Sequence, residues 1–574
     1  MVSRTLAKST NQTLLVAMVA LLGITLIYPI LLTIRGGFVA DVATGRGWSL
    51  EPLSLLFRDP TRVAGLLNAA KVAITTTFIS ILIGLPLAVL SVRYTFPGKK
   101  LLQAGILIPL ILPPFVGAIG LQMIIGRTGS LNTLLGTDWD ILGSARFWGV
   151  VIVEALHLYP IIYLNATAAL ANIDPAMEEA AESLGASPWQ RLRTITLPLI
   201  RSGIFAGATI VLIWSFTELG TPLVFEYRVI TPVQIFDGLK QVENSAEPYA
   251  LTFVLLACAV GMYLVGKLMF GGRGYEMQSK ASRASTETAL SPTGGIVATC
   301  VFAFVTFIAL VPHLGVILTS ISEPWAWYRS VLPKDFTSQH YQTALSDPLA
   351  FGSIINSLTY SSLAVVLNLG LGLLAGYLIA RTKVRGRNLL DAMCMLPLAV
   401  PGLVMAFGYI AATLRWPFGD GPLGSIVSVF GNEPNPLPIL VIAYAVRRLP
   451  YIVRSTVSGL EQTSVSLEEA AINLGATKVG AFRRIVIPLI MANLIAGSLL
   501  VFSFSMLEVS DSLLLAQKES DYPVTKAIYT FANRLADGQF VASAMGVWGM
   551  ILLTVTLVGA SLLIGKKLGA TFRV

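Results

Sequence analysis

The residues of this chain that could do electrostatic work are few and oddly placed. Glu154 and His157 lie in one apolar run and Arg447 and Arg448 in another, while Glu218 and Glu508, the latter followed by Asp511, sit at the ends of two more. An ionisable side chain within an apolar span costs ~3 kcal/mol or more on insertion scales, so each marks a functional position by default. His157 and Arg447 are 290 residues apart, as are Glu218 and Glu508, which puts each pair at one depth if the chain repeats with that period. Two readings follow for the first pair. The groups line a central pathway, where Arg447 and Arg448 meet an anionic group, or they form an internal ion pair, for example with Glu154, that only holds the molecule together. Glu218, Glu508 and Asp511 are equally suited to a gate or cation contact and to an interfacial role against headgroups or a docked partner.

A second set of residues carries the repeat itself. The stretch 178–200, EEAAESLGASPWQRLRTITLPLI, returns as 468–490, EEAAINLGATKVGAFRRIVIPLI. Asp174 is a good N-cap with Pro175 at the first helical position, and Glu178 and Glu179 suit the positive end of the helix dipole. Gly185 ends that helix after about ten residues, and Ser187-Pro188 starts another. In the second copy Ser466 with Glu469 reads as a capping box, whereas strict register places the cap at Ser464.

Bond-making chemistry finds no support. No cluster of His, Cys or acids has metal or nucleophile spacing, and Cys258, Cys300 and Cys394 stand at unrelated spacings in or beside apolar runs, as packing residues would. The segment GASLLIGKK, from Gly559 to Lys567, has five residues between its glycines where a phosphate-binding loop needs four, and ends on Lys where Ser or Thr is required.

The elements that must position these residues are membrane helices. The chain is 55% hydrophobic and 12% charged, with a mean hydropathy of +0.74, far too apolar for a soluble protein of this length. Twelve runs are long enough to cross about 30 Å of hydrocarbon: Leu14–Ile34, Val72–Val92, Leu101–Ile125, Phe147–Ala171, Ile204–Leu223 and Tyr249–Gly266, then Gly295–Ile321, Ile354–Ala380, Ala392–Leu414, Leu437–Val457, Leu489–Leu507 and Phe540–Ile564. Arg4 and Lys8 precede the first run as in a signal peptide, but no small-residue cleavage site clearly follows, and the run is read as a retained helix. A polar stretch with Arg273, Lys280 and Arg283 separates two halves, 1–270 and 295–574, as a linker over 271–294. Asn68, Gly84, Arg93, Pro109 and Pro113 recur 288 residues on as Asn356, Gly372, Arg381, Pro397 and Pro401. An even number of spans per half gives both copies one orientation, related by an axis along the membrane normal. Pro86, Pro109, Pro113, Pro160, Pro198, Pro397, Pro401, Pro450 and Pro488 punctuate the helices as hinges or static kinks.

The net charge of +9 is topological, since no basic tract alternates with stacking aromatics and nucleic acid is not a partner. Arg93, Lys99, Lys100, Arg191, Arg193, Arg381, Lys383, Arg385, Arg387, Lys478, Arg483 and Arg484 fall on one side with Arg4, Lys8, Lys566, Lys567 and Arg573. Both termini and both EEAA helices are therefore expected in the cytoplasm. Acids such as Glu226, Asp237, Glu243, Glu247, Glu519, Asp521 and Asp537 crowd the opposite loops.

The pattern Glu-Ala-Ala, three residues, Gly, nine residues, Ile-x-Leu-Pro resembles the coupling loop of ATP-binding-cassette importer permeases. It stands here as Glu179, Ala180, Ala181, Gly185, Ile195, Leu197, Pro198 and as Glu469, Ala470, Ala471, Gly475, Ile485, Ile487, Pro488. The layout, with ELGTPLVF and TPVQIF in one half and LEVSDSLLLA and YPVTKAIY in the other, is similar to that of ferric-iron importer permeases. That resemblance implies an all-α, polytopic type I importer fold of about twelve helices in the bacterial inner membrane. It implies coupling loops at 174–198 and 464–488 that dock two copies of a nucleotide-binding subunit. It also implies ATP and Mg on those subunits with no cofactor in this chain, and an extracytoplasmic solute-binding protein that delivers the substrate. Relatives of the same layout carry thiamine, polyamines or aminoethylphosphonate. A stand-alone secondary transporter could share the repeats and the intramembrane charges, but would not need two glycine-closed helices in register.

Overall fold

The computed structural model describes residues 2–41, 46–142, 146–270, 287–419, 421–431 and 433–564. Arg273, Lys280 and Arg283 of the linker, and Lys566, Lys567 and Arg573, lie outside the described residues, as do the side chains of Arg4 and Lys8. The described residues are predominantly helical, with two short strand pairs among them, Val39–Asp41 with Arg46–Trp48 and Tyr94–Thr95 with Thr288–Ala289. Among the described residues eight helices are long and apolar enough to cross a membrane, or up to eleven if three sharply bent pairs each count once. The tenth expected span, Leu437–Val457, lies within one continuous helix, Leu437–Gln462. It fails that test because Arg447, Arg448 and Arg454 lower its apolarity.

The second spans of the two halves, Pro60–Arg93 and Pro348–Arg381, are unbroken at 34 residues each, about 51 Å of helix. Asp59 caps the first by accepting from the Thr61 amide at 2.8 Å, and Asp347 caps the second in the same way. On Pro60–Arg93 the exposed stripe is Leu67, Ile74, Phe78 and Leu82, whereas Ala69, Val72, Ala73, Thr76 and Ser80 are buried. Small and hydroxylated residues inward with large apolar ones outward is the pattern of a helix whose solvent is lipid. The repeated glycines mark close helix contacts. A Cβ on Gly84 would lie 2.9 Å from the Tyr159 carbonyl, and one on Gly372 2.5 Å from Ile452 Cγ2, where each second span meets the fourth span of its half.

Three expected spans are broken. Leu101–Ile125 resolves into Lys99–Leu110 and Pro114–Leu135, bent by 101°, and Ala392–Leu414 into Arg387–Ala399 and Gly402–Thr413, bent by 106°. The cause is the proline pairs Pro109/Pro113 and Pro397/Pro401: Pro113 and Pro401 adopt extended ψ of 136°, which a helix cannot continue through. The eleventh span bends by 73° at Ile490. The fifth ends its helix at Thr217 and the eleventh at Met506, so Glu218 and Glu508 fall in breaks before short helices Gly220–Val224 and Ser510–Leu515.

The halves interlock. Tyr28–Gly36, the C-terminal end of the first span, packs on Gly402–Thr413 of the second half, and Pro292–Ile321 packs on Pro114–Ile125 of the first. Glycines permit both crossings: a Cβ on Gly408 would stand 2.8 Å from the Pro29 carbonyl, and one on Gly120 2.3 Å from the Val316 amide. The main core cluster accordingly draws Ala69, Val150 and Tyr249 from one half and Tyr360, Phe407 and Tyr444 from the other.

Candidate functional site

Arg447 and Arg448 are consecutive on one helix, about 100° apart around its axis, and still converge on a single carboxylate. Arg447 Nη1 lies 3.3 Å from Glu508 Oε1 and 3.8 Å from Asp511 Oδ2. Arg448 Nη2 pairs with Glu508 Oε2 and donates to the Phe504 carbonyl at 3.1 Å. Glu508 and Asp511 are 4% and 1% exposed, so these charges are held by one another rather than by water. The convergence is possible because Glu508 sits in the break before Ser510–Leu515, where its side chain leaves the helical ladder. Gly402 makes the remaining room. A Cβ there would come within 1.7 Å of Arg447 Nη1, so the guanidinium fills the space a side chain would take at the start of Gly402–Thr413. Around the cluster, Tyr444 and Ser512 share a hydrogen bond at 2.6 Å and Thr525 donates to the Glu508 carbonyl at 2.6 Å.

The related positions of the first half are built differently. Glu218 Oε1 accepts from the amides of Gly220 at 3.1 Å and Thr221 at 3.3 Å, capping the short helix that follows it. Glu154, 1% exposed, accepts from the Ser215 hydroxyl through Oε2 and has no partner at Oε1. Glu154 is thus not the arginines' partner, as the example of an ion pair supposed; Glu508 and Asp511 take that place. A Cβ on Gly220 would lie 3.2 Å from Val509 Cγ1, so the two acidic breaks adjoin. His157 Nδ1 hydrogen-bonds the Pro109 carbonyl at 2.7 Å. It shares a proline-walled niche with His313 of the crossing helix Pro292–Ile321. His313 carried the same signal as His157, an ionisable side chain within an apolar run, and was passed over; only its meeting with His157 depends on one half crossing into the other. Among the described residues no three His, Cys, Asp or Glu side chains converge as metal ligands.

The EEAA helices form Pro175–Ser183 and Val465–Asn473. Asp174 caps the first by accepting from the Ala176 amide at 3.0 Å. Ser464, the strict-register residue, caps the second from the Ser466 amide at 3.3 Å, so the Ser466–Glu469 capping box does not form. Gly185 and Gly475 close them at φ of +84° and +96°, a region that favours glycine. Glu179, Ala180, Glu469 and Ala470 are exposed, while Ala181 is half-buried and Ala471 buried. Beside each glycine an apolar side chain projects into solvent, Leu184 at 88% and Leu474 at 89% exposure. Glu178 and Glu468 face the other way, toward Arg93 and Arg381. Sequence alone did not separate the inward glutamate of each pair from the outward one.

Residues 80–238 and 369–566 each match the family described as binding-protein-dependent transport system inner membrane component. The chain is 27% identical over 477 residues to a ferric transport system permease protein, FbpB, of Actinobacillus pleuropneumoniae, covering 82% of this chain and 66% of that protein, just under two thirds of its length. It is 25% identical to an Fe(3+)-transport system permease protein of Haemophilus influenzae, covering 88% and 90%. A molybdenum transport system permease protein, ModB, of Escherichia coli is 36% identical over 172 residues, 30% of this chain and 74% of that one. With the family's unit matched twice, over more than half its length, the chain belongs to the binding-protein-dependent inner-membrane components, as the permease subunit of an ATP-binding-cassette importer.

Proposed function

We propose that this permease passes ferric iron, brought by an extracytoplasmic binding protein, through the junction of its two halves. Two ATPase subunits seated on Pro175–Ser183 and Val465–Asn473 power the passage, with both termini on their side of the membrane. The observation that supports the substrate is the balance of ionisable groups: four carboxylates, Glu154, Glu218, Glu508 and Asp511, stand against two arginines, and only Glu508 and Asp511 pair with Arg447 and Arg448. An excess of carboxylates where the halves meet favours a cation over an anion, and two relatives that span most of the chain are named for ferric iron. In this state Arg447 and Arg448 occupy the carboxylates and hold the path shut. A cation arriving between the halves competes for Glu508 and Asp511 and releases the arginines. The permease contributes path and levers, and ATP chemistry belongs to its partners.

The test is uptake of radiolabelled ferric iron by proteoliposomes holding the permease, its ATPase and the loaded binding protein. Glu508→Gln with Asp511→Asn is expected to lower uptake about a hundredfold, equivalent to ~2.7 kcal/mol on the rate-limiting step. Charge reversal of Glu179 with Glu469 is expected to uncouple uptake from ATP turnover. Full uptake by the carboxamide variant, or a binding protein whose ligand is thiamine, a polyamine or aminoethylphosphonate, would replace the iron reading.

A further inference from the structure

Asn68 and Arg93, repeated as Asn356 and Arg381, have no part in the charge cluster and do not lie on the EEAA helices, yet the structure gives all four related work. They lie near opposite ends of the two 34-residue spans Pro60–Arg93 and Pro348–Arg381. At about 51 Å each helix outreaches ~30 Å of hydrocarbon. Both therefore project beyond it, and both are unbroken where the third, ninth and eleventh spans are bent.

At the inner end, the Arg93 guanidinium pairs with Glu178 of Pro175–Ser183 and donates to Thr196 Oγ1 at 2.6 Å, and Thr196 donates to Glu178 at 2.8 Å. Arg381 donates to the Thr463 carbonyl at 2.7 Å, just before Val465–Asn473, and lies 4.0 Å from Glu468. At the outer end, Asn68 donates to the Val229 carbonyl at 2.8 Å and Gln234 donates to the Thr61 carbonyl at 3.0 Å. Asn356 donates to the carbonyls of Ser520 at 2.7 Å and Tyr522 at 3.2 Å, and the Val524 amide donates to Ser357 Oγ at 2.7 Å. The same helix thus grips the segment after the fifth or eleventh span on one face of the membrane and the EEAA helix on the other. A stiff helix with polar fittings at both ends moves as one body, so a displacement at either end is delivered to the other.

We propose that Pro60–Arg93 and Pro348–Arg381 are struts, and that Asn68, Arg93, Asn356 and Arg381 are positioning residues through which docking at the outer segments 228–237 and 518–524 sets ATP turnover inside. The inference rests on the reading that the EEAA helices seat the ATPase subunits. The two struts are unequal. Position 486, the counterpart of Thr196, is valine, which supplies no hydroxyl to tie Arg381 to Glu468, so the first strut transmits more than the second.

The experiment compares ATP hydrolysis with and without loaded binding protein in proteoliposomes holding the whole importer. For Asn68→Ala and for Arg93→Gln the stimulation ratio is expected to fall about tenfold, and for Arg381→Gln by less. Unstimulated turnover and the amount of ATPase that co-purifies are expected to stay within about twofold of the unsubstituted importer. Arg93→Glu combined with Glu178→Arg is expected to restore part of the ratio, and a fall of the ratio at unchanged unstimulated turnover is what a merely structural clamp would not give. Thr196→Val, which gives the first strut the second strut's chemistry, serves where a charge substitution prevents assembly, and is expected to lower the ratio by less than Arg93→Gln does. An unchanged ratio in Asn68→Ala and Arg93→Gln, or in Thr196→Val where those do not assemble, overturns the proposal. So does a parallel fall of stimulated and unstimulated turnover that the reversed pair leaves unrescued. Failure of the ATPase to co-purify with the unsubstituted chain refutes the partner reading instead, and is seen before any variant is made.

Discussion

Arg447 and Arg448 show how two cations tolerate burial together. Each has a carboxylate in reach and the shared Glu508 is 4% exposed, so removing one partner leaves the others charged and dry. Breaking such a pair costs ~3–5 kcal/mol, far above the worth of an exposed ion pair. Glu508→Gln is therefore expected to lower the midpoint of thermal unfolding in detergent more than Glu519→Gln, at an exposed position of the segment after the eleventh span. Gly402→Ala should act through the same cluster, because its Cβ would displace the Arg447 guanidinium. Lys526 offers a titration outside the spans. It is 6% exposed, donates to the Leu513 carbonyl at 2.9 Å and lies over the Tyr522 ring, and burial pulls its pKa down to about 7. The unfolded chain binds this proton up to an ordinary lysine value near 10.5, so between these limits folding stability rises with pH. The lysine's contribution is complete above the upper limit and lost as pH falls through about 7. Lys526→Met should accordingly stabilise the protein more at pH ~6 than at pH ~9.5, by about 3 kcal/mol.

At the scale of elements, what could be read from sequence was whatever is locally coded. Asp174 with Pro175 and Gly185 mark the ends of Pro175–Ser183 as expected, because caps and left-handed glycines are decided within a few residues. The proline pairs announced trouble in the third and ninth spans, but bends of 101° and 106° were not legible. A proline only removes a backbone bond, and neighbouring helices decide the angle. The partner of Arg447 was equally hidden, since the arginine and Glu508 are brought together by a packing of helices that no local pattern reports. Glycines at crossings are the intermediate case, visible as repeats but explained only by what they touch. Gly120→Ala is expected to destabilise by about 1–3 kcal/mol, since its Cβ would meet backbone rather than a flexible side chain. Gly352→Ala, at a glycine with nothing within 4 Å, should be neutral or slightly stabilising by the same measurement.

For the whole molecule, the repeat described two copies in series, whereas the structure weaves them. Tyr28–Gly36 belongs in sequence to the first half and in space to Gly402–Thr413 of the second, and Pro292–Ile321 reciprocates against Pro114–Ile125. Neither half can then bury its bent third or ninth span alone: Phe115, Val116 and Ile119 of one half are covered with Val316 of the other, and Phe407 with Tyr249. Fusion in one chain supplies the partner at high effective concentration. A chain cut within the polar segment 271–286 and co-expressed as two pieces is therefore expected to assemble into a complex that co-purifies and exchanges no subunits. Either piece alone should be degraded or aggregate through its exposed apolar crossing face. The decisive control is the first piece lacking residues 2–36. Bound to the second piece it leaves Gly408 without the Pro29 backbone that covers it, so protease sensitivity should appear near residues 402–413 rather than at the site of the deletion. Protection there, with cleavage confined to the first half, would show that the halves fold side by side and that the weave does not hold the permease together.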